Sequence, residues 1–139
     1  MIKRVYYRSD DINEWVGKLK GPNRVGAGNS VFSVQEVELY KTKNFDKTAG
    51  KVLQNVTSYT NPSILESGEL ITYNSTYFFK KGSISFDINL QNQTTDRKLN
   101  PGTYVFNISG GTGKYLNIKG HVIFVATEST RKVTFYEDK

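Results

Sequence analysis

From residue 31 onward, apolar side chains recur at every second position, and no other feature of the sequence narrows the possible folds as much. Over 83–91, Ile84, Phe86, Ile88 and Leu90 fall on one face, and Ser85, Asp87, Asn89 and Gln91 on the other. Successive side chains of a strand point to opposite faces, so the first set should face a core and the second water. Ile71, Tyr73, Tyr77 and Phe79 repeat the pattern, as do Tyr104, Phe106 and Ile108. Val122, Phe124 and Ala126 alternate with Ile123 and Val125, so that strand is apolar on both faces and its outer side should be covered. The spacing predicts strands over 31–41, 52–60, 69–79, 83–91, 103–109, 120–128 and 132–136. An eighth comes from 1–8 or from a split of one of these. Lys81-Gly82 fits a tight hairpin and Ser129-Thr130 a short reversal. No helical period separates the strands, which argues against a parallel α/β sheet. Short strands with turns between them make a sandwich or a barrel, and closure removes exposed edges. The expected fold is all-β: one closed antiparallel barrel of about eight strands over 31–139.

Residues 1–30 read differently. Ser9-Asp10-Asp11 suits a helix start, with acids at the positive end of the helix dipole. Asp11 and Glu14 have capping-box spacing. Ile12, Trp15, Val16 and Leu19 then share one helical face, and Gly21-Pro22 ends it. Residues 21–30 read as a Gly-rich linker. The expectation is a basic N-terminal arm with a short amphipathic helix, whose apolar face must be buried on its own barrel or on a partner. Ile12, Trp15, Val16 and Leu19, with Arg4 and Arg8, are the candidate partner-binding residues.

A chain of 139 residues is one domain in size and can bury a core without staples. It has no cysteine, which excludes disulfides and thiolate metal sites. No apolar run approaches the roughly 20 residues of a spanning helix. The start, MIKRVYYRSDD, lacks the apolar stretch of a secretory signal, so the expected location is cytoplasmic or an intracellular assembly, a virion component included. The sequons at Asn55, Asn74 and Asn107 then follow from an Asn- and Thr-rich composition. A net charge of +6 permits nucleic acid or an acidic partner and demands neither, since no nucleic-acid motif is present.

Motifs that carry chemistry are few. Gly110-Gly-Thr-Gly-Lys114 is not a phosphate loop: Tyr115 stands where Ser or Thr should bind magnesium, and no helix follows. Its glycines suit a tight turn with positive φ. His121, the single histidine, suits a strand or rim position and gives no multi-histidine metal site. No metal and no cofactor is expected. The pattern does not decide which face of 31–41 points inward. With Glu36 in the lumen, burial would raise its pKa and make it an acid or base. Tyr73, Tyr77 and Tyr104 would then line the same pocket, whereas in a small barrel such aromatics more often simply fill the interior.

The stretch 103–125, TYVFNISGGTGKYLNIKGHVIFV, resembles the allene oxide cyclase and dirigent barrel superfamily. The resemblance lies in a strand, the turn Gly110-Gly111-Thr112-Gly113 followed by Lys114 and Tyr115, and Gly120 opening the next strand. Phe79-Lys-Lys-Gly82-Ser83-Ile84 looks like the hairpin that starts an earlier strand. It implies an eight-stranded barrel, often trimeric, with an apolar lumen. The arginine that dirigent proteins carry before the turn is Tyr104 here, their His-Asp pair is absent from the first strand, and the glutamate and asparagine of the cyclases do not map. Two functions follow. The first is a non-catalytic module docked into a larger assembly, possibly viral, through its arm. The second is an isomerase or stereocontrol protein acting on an apolar small molecule in the lumen, with Glu36, Tyr73 and Tyr104 as its candidate catalytic residues.

Overall fold

The two-residue period is satisfied by one continuous antiparallel sheet. In the computed structural model, which describes residues 2–9, 12–20, 28–61, 69–93 and 100–138, its strands are β1 (Ile2–Ser9), β2 (Ile12–Lys20), β3 (Asn29–Tyr40), β4 (Thr48–Thr60), β5 (Glu69–Phe79), β6 (Gly82–Gln93), β7 (Gly102–Gly113), β8 (Gly120–Ala126) and β9 (Thr130–Glu137). Their order in the sheet is β1-β9-β8-β7-β6-β5-β4-β3-β2, and Tyr7 of β1 also pairs with Tyr40 of β3. That pairing closes eight strands into a barrel, with β1 as the eighth stave and β2 as one extra strand. β1 and β2 both run antiparallel to β3, so the chain leaves the barrel wall at Ser9 and continues along the outer half of β3.

The expected helix is not there, and no helix occurs among the described residues. Ile12–Lys20 pairs with β3 from Ile12↔Val37 to Lys20↔Asn29. A nine-residue helix is marginal alone in water, whereas the free edge of β3 satisfies the main chain of an extended segment at once. Ile12, Trp15 and Val16 are also residues that strands favour. The change of period splits the apolar face: Ile12, Glu14 and Val16 are paired with the inward residues of β3, and Trp15 and Gly17 with its outward ones. Of the expected linker, residues 21–27 lie outside the described residues, and Asn29 and Ser30 begin β3.

The other strands fall where the alternation puts them, several with longer ends, while β8 stops at Ala126, two residues short of its expected end. β4 starts at Thr48 and β7 runs on to Gly113. Lys80 and Lys81 form the turn between β5 and β6, and residues 127–129 the reversal between β8 and β9. The glycine stretch is therefore the end of a strand, paired with Gly82–Ser85, and its turn is made by residues 114–117. Only Gly113 of Gly110–Gly113 has a positive φ, at 59°. β8 is half-buried on its outer face at Ile123 and Val125, and because β2 lies along β3, Trp15 does not cover it.

The lumen has two unlike halves. Near the β5–β6 and β7–β8 turns, Phe79 packs on Tyr6, Tyr115 and Phe135 with ring centroids 4.9, 5.6 and 6.2 Å away. Leu39, Val52, Ile84 and Val133 fill the gaps with no exposure. Each fully buried side chain of this kind contributes about 1.5–3 kcal/mol, so this plug is the anchor of the fold. The other half is lined by polar groups. No helix among the described residues is long and apolar enough to cross a membrane.

Candidate functional site

The polar half is built from inward positions of five neighbouring staves. Arg8 of β1 and Arg131 of β9 are cross-strand partners, 5% and 7% exposed. Gln35 of β3, Gln54 of β4 and Ser75 of β5 bring buried polar groups to the same level, and Tyr77 of β5 brings a buried phenol. Ile12, Tyr73, Ile88 and Phe124 complete the walls of a partly open cavity. The centres of water-sized groups have about 20 Å³ to occupy in it, room for one or two such groups.

A directed chain of hydrogen bonds organises the pocket. Arg8 Nη1 donates to Gln54 Oε1 and to the Tyr77 hydroxyl, both at 3.3 Å. Ser75 Oγ donates to the same Gln54 oxygen at 3.2 Å. Gln54 Nε2 donates to Gln35 Oε1 at 2.7 Å, and Gln35 Nε2 to Glu14 Oε2 at 2.6 Å. The two amides thus point one way, from a guanidinium at one end to a carboxylate at the other, and such chains polarise cooperatively. The Arg8 guanidinium also lies 5.7 Å from the Phe124 ring centroid. Burial pushes the Tyr77 hydroxyl above its ordinary value of 10.0, and the charge and hydrogen bond of Arg8 offset only part of this. Tyr77 therefore stays a neutral phenol at physiological pH, able to donate a proton to an oxygen placed beside it.

Arg8, expected on a docking arm, is inside the barrel. Arg4 pairs with Glu137 at 3.5 Å and stacks on Tyr115 at 5.2 Å, so it seals the plug. Ile12 packs against the core and walls the pocket. Trp15 and Val16 are exposed, at 60% and 47%, and Leu19 carries no side-chain description. Tyr73 lines the pocket. Tyr104 faces the core from β7, but its hydroxyl donates to the Asn100 carbonyl at 2.6 Å. Glu36 points away from the lumen: it pairs with Lys51 at 2.9 Å on the outer surface, while Gln35, Val37 and Leu39 are its inward neighbours. A barrel-lining role for Glu36 is thereby removed. His121 is half-buried and stacks on Tyr136 at 4.8 Å. Among the described residues no group of three or more His, Asp and Glu is placed to hold a metal ion.

Alternation alone passed over Gln35, Gln54, Ser75 and Arg131 as site residues. The signal that marks them is a polar residue in the apolar register of its strand. Ser75 interrupts Ile71, Tyr73, Tyr77 and Phe79, and Gln54 interrupts Val52 and Val56. Gly110, Gly111, Gly113 and Gly120 lie apart from this pocket and shape the β6–β7 and β8–β9 ladders.

No protein-family model matches the chain, and no curated protein matches it. Among solved structures, the chain is similar to pyocyanin demethylase, with a TM-score of 0.56 and 18% identity over 99% of this chain and 100% of that chain. At this identity the likeness concerns the fold: the same barrel path over the whole length of both chains. It is a likeness to a demethylase barrel and does not tie the chain to the allene oxide cyclases or dirigent proteins.

Proposed function

We propose that the chain takes a small organic molecule into the polar half of its lumen and supports charge-stabilised chemistry there. The observation that carries this reading is the convergence of Arg8, Gln35, Gln54, Ser75 and Tyr77 on one partly open cavity in the barrel. Burying such groups is costly unless they are used or fully paired. An arginine beside a neutral phenol can hold an oxyanion that forms during a proton shift and return a proton to it. Stereocontrol of a small molecule, an activity implied by the dirigent resemblance, needs no more than such binding and charge stabilisation. The structural neighbour acts on pyocyanin, which supports the reading that barrels of this path host small-molecule chemistry.

Calorimetric titration with formamide, small and uncharged, tests the reading. Binding to the native chain should be saturable. It should be lost in Ile88→Trp, which fills the cavity wall, and kept in Val105→Trp, whose position is outward and 63% exposed. Equal binding in both variants would place the ligand elsewhere.

An interaction surface has separate support. Trp15, Phe32, Val34 and Leu53 are exposed neighbours on the outer face of β2, β3 and β4, and the far edge of β2 has no strand partner among the described residues. A monomer seldom leaves such a patch next to a free edge. Trp15→Ser should then lower the oligomeric mass in sedimentation. An unchanged mass would count against this surface.

A further inference from the structure

Resting on the lumenal reading, we infer that the ligand is a small carboxylate of about the size of formate, and that Arg8 binds it side-on. Three observations lead there. First, Arg8 is buried, yet among the described residues no carboxylate makes an ion pair with it: its polar partners are Gln54 and Tyr77, both uncharged. The nearest negative charge along the network, Glu14, is two amides away. A buried cation whose charge no neighbour cancels is costly, and an anionic ligand removes that cost.

Second, the donors are arranged for a carboxylate. Nη1 is used by Gln54 and Tyr77, whereas Nε is buried with no hydrogen-bond partner. Nε–H and the adjacent Nη2–H form the side-on fork of a guanidinium, whose spacing matches the two oxygens of a carboxylate.

Third, the cavity fixes the size. Space for one or two water-sized groups admits a carboxylate head and excludes a bulky polyanion.

Formate and formamide, nearly equal in shape and small enough for this cavity, are the probes, titrated by calorimetry into the full chain. Formate should bind roughly tenfold more tightly, the order of a charge-assisted bidentate contact. The preference should vanish in Arg8→Gln, with folding checked by circular dichroism. Should Arg8→Gln fail to fold, Arg8→Lys serves: it keeps the charge and loses the fork, so the preference should shrink without disappearing. Equal affinities of the native chain for formate and formamide would overturn the carboxylate class and leave the lumenal reading standing. A formate preference that survives intact in folded Arg8→Gln would overturn the role of Arg8. If neither compound binds, the lumenal reading itself falls.

Discussion

Asp87 and Phe86 are adjacent in the chain and opposite in role. Phe86 has no exposure and packs between Tyr77 and Phe135, while Asp87 is exposed and accepts a hydrogen bond from Asn74 at 2.9 Å. Phe86→Ala should cost about 3–5 kcal/mol and Asp87→Ala no more than about 0.5 kcal/mol in denaturant unfolding. The glycines divide as sharply. A side chain at Gly111 would meet the Tyr115 carbonyl and Ile118, and Gly113 sits at a φ of 59°, while Gly110 faces open space. Gly111→Val and Gly113→Val should each lower the melting temperature, at a cost of about 1–3 kcal/mol, and Gly110→Ala should leave it nearly unchanged. Tyr77 supplies a pH test. Its folded pKa is raised above 10.0 by burial, so its contribution to stability is complete below the unfolded value and is lost as pH rises through the folded one. Stability should fall above about pH 10, and Tyr77→Phe should lessen that fall. An identical alkaline loss in Tyr77→Phe would show that another group governs it.

The decisive element is the N-terminal pair of strands. β1 pairs with β9 along its whole length and touches β3 at Tyr7, so it closes the ring. Removing residues 1–20 should therefore unfold the barrel and not release it as a free core, a result that loss of the cooperative thermal transition would show. Retention of that transition would mean that β1 is dispensable. Most of this architecture is legible in the sequence, because a half-buried antiparallel strand writes its period in plain residues: Ile84 to Leu90 is the clearest case. Ile12 to Leu19 was ambiguous for a physical reason. Over so few residues, apolar positions at i, i+3, i+4 and i+7 fit a helical face, while as a strand they fall on both faces, and only the tertiary edge of β3 decides. The pocket was legible in part. Tyr73 followed from alternation, but Arg8 and Gln54 obey the inward register with the wrong polarity for a core, and nothing local says that their partners lie 46 residues apart.

At the scale of the molecule, one end of the lumen is stability and the other is chemistry. The ring-on-ring plug around Phe79 and Phe135 holds the staves together, and this lets the opposite end keep buried polar groups that a fold of this size would otherwise exclude. The outer surface is handled separately, with Glu36 and Lys51 in solvent and Trp15 at the rim of an apolar patch. The central claim is that a ligand enters at Arg8, and the side-chain amides of Gln54 and Gln35 are its natural reporters, since each lies in the hydrogen-bond chain that starts there. Their NH₂ resonances, followed by ¹H–¹⁵N NMR during a formate titration of the full chain, should shift together and saturate with one affinity, while the Trp15 indole N–H stays in place. Movement of the Trp15 signal with the two amides unchanged would put the site on the outer sheet and contradict the account.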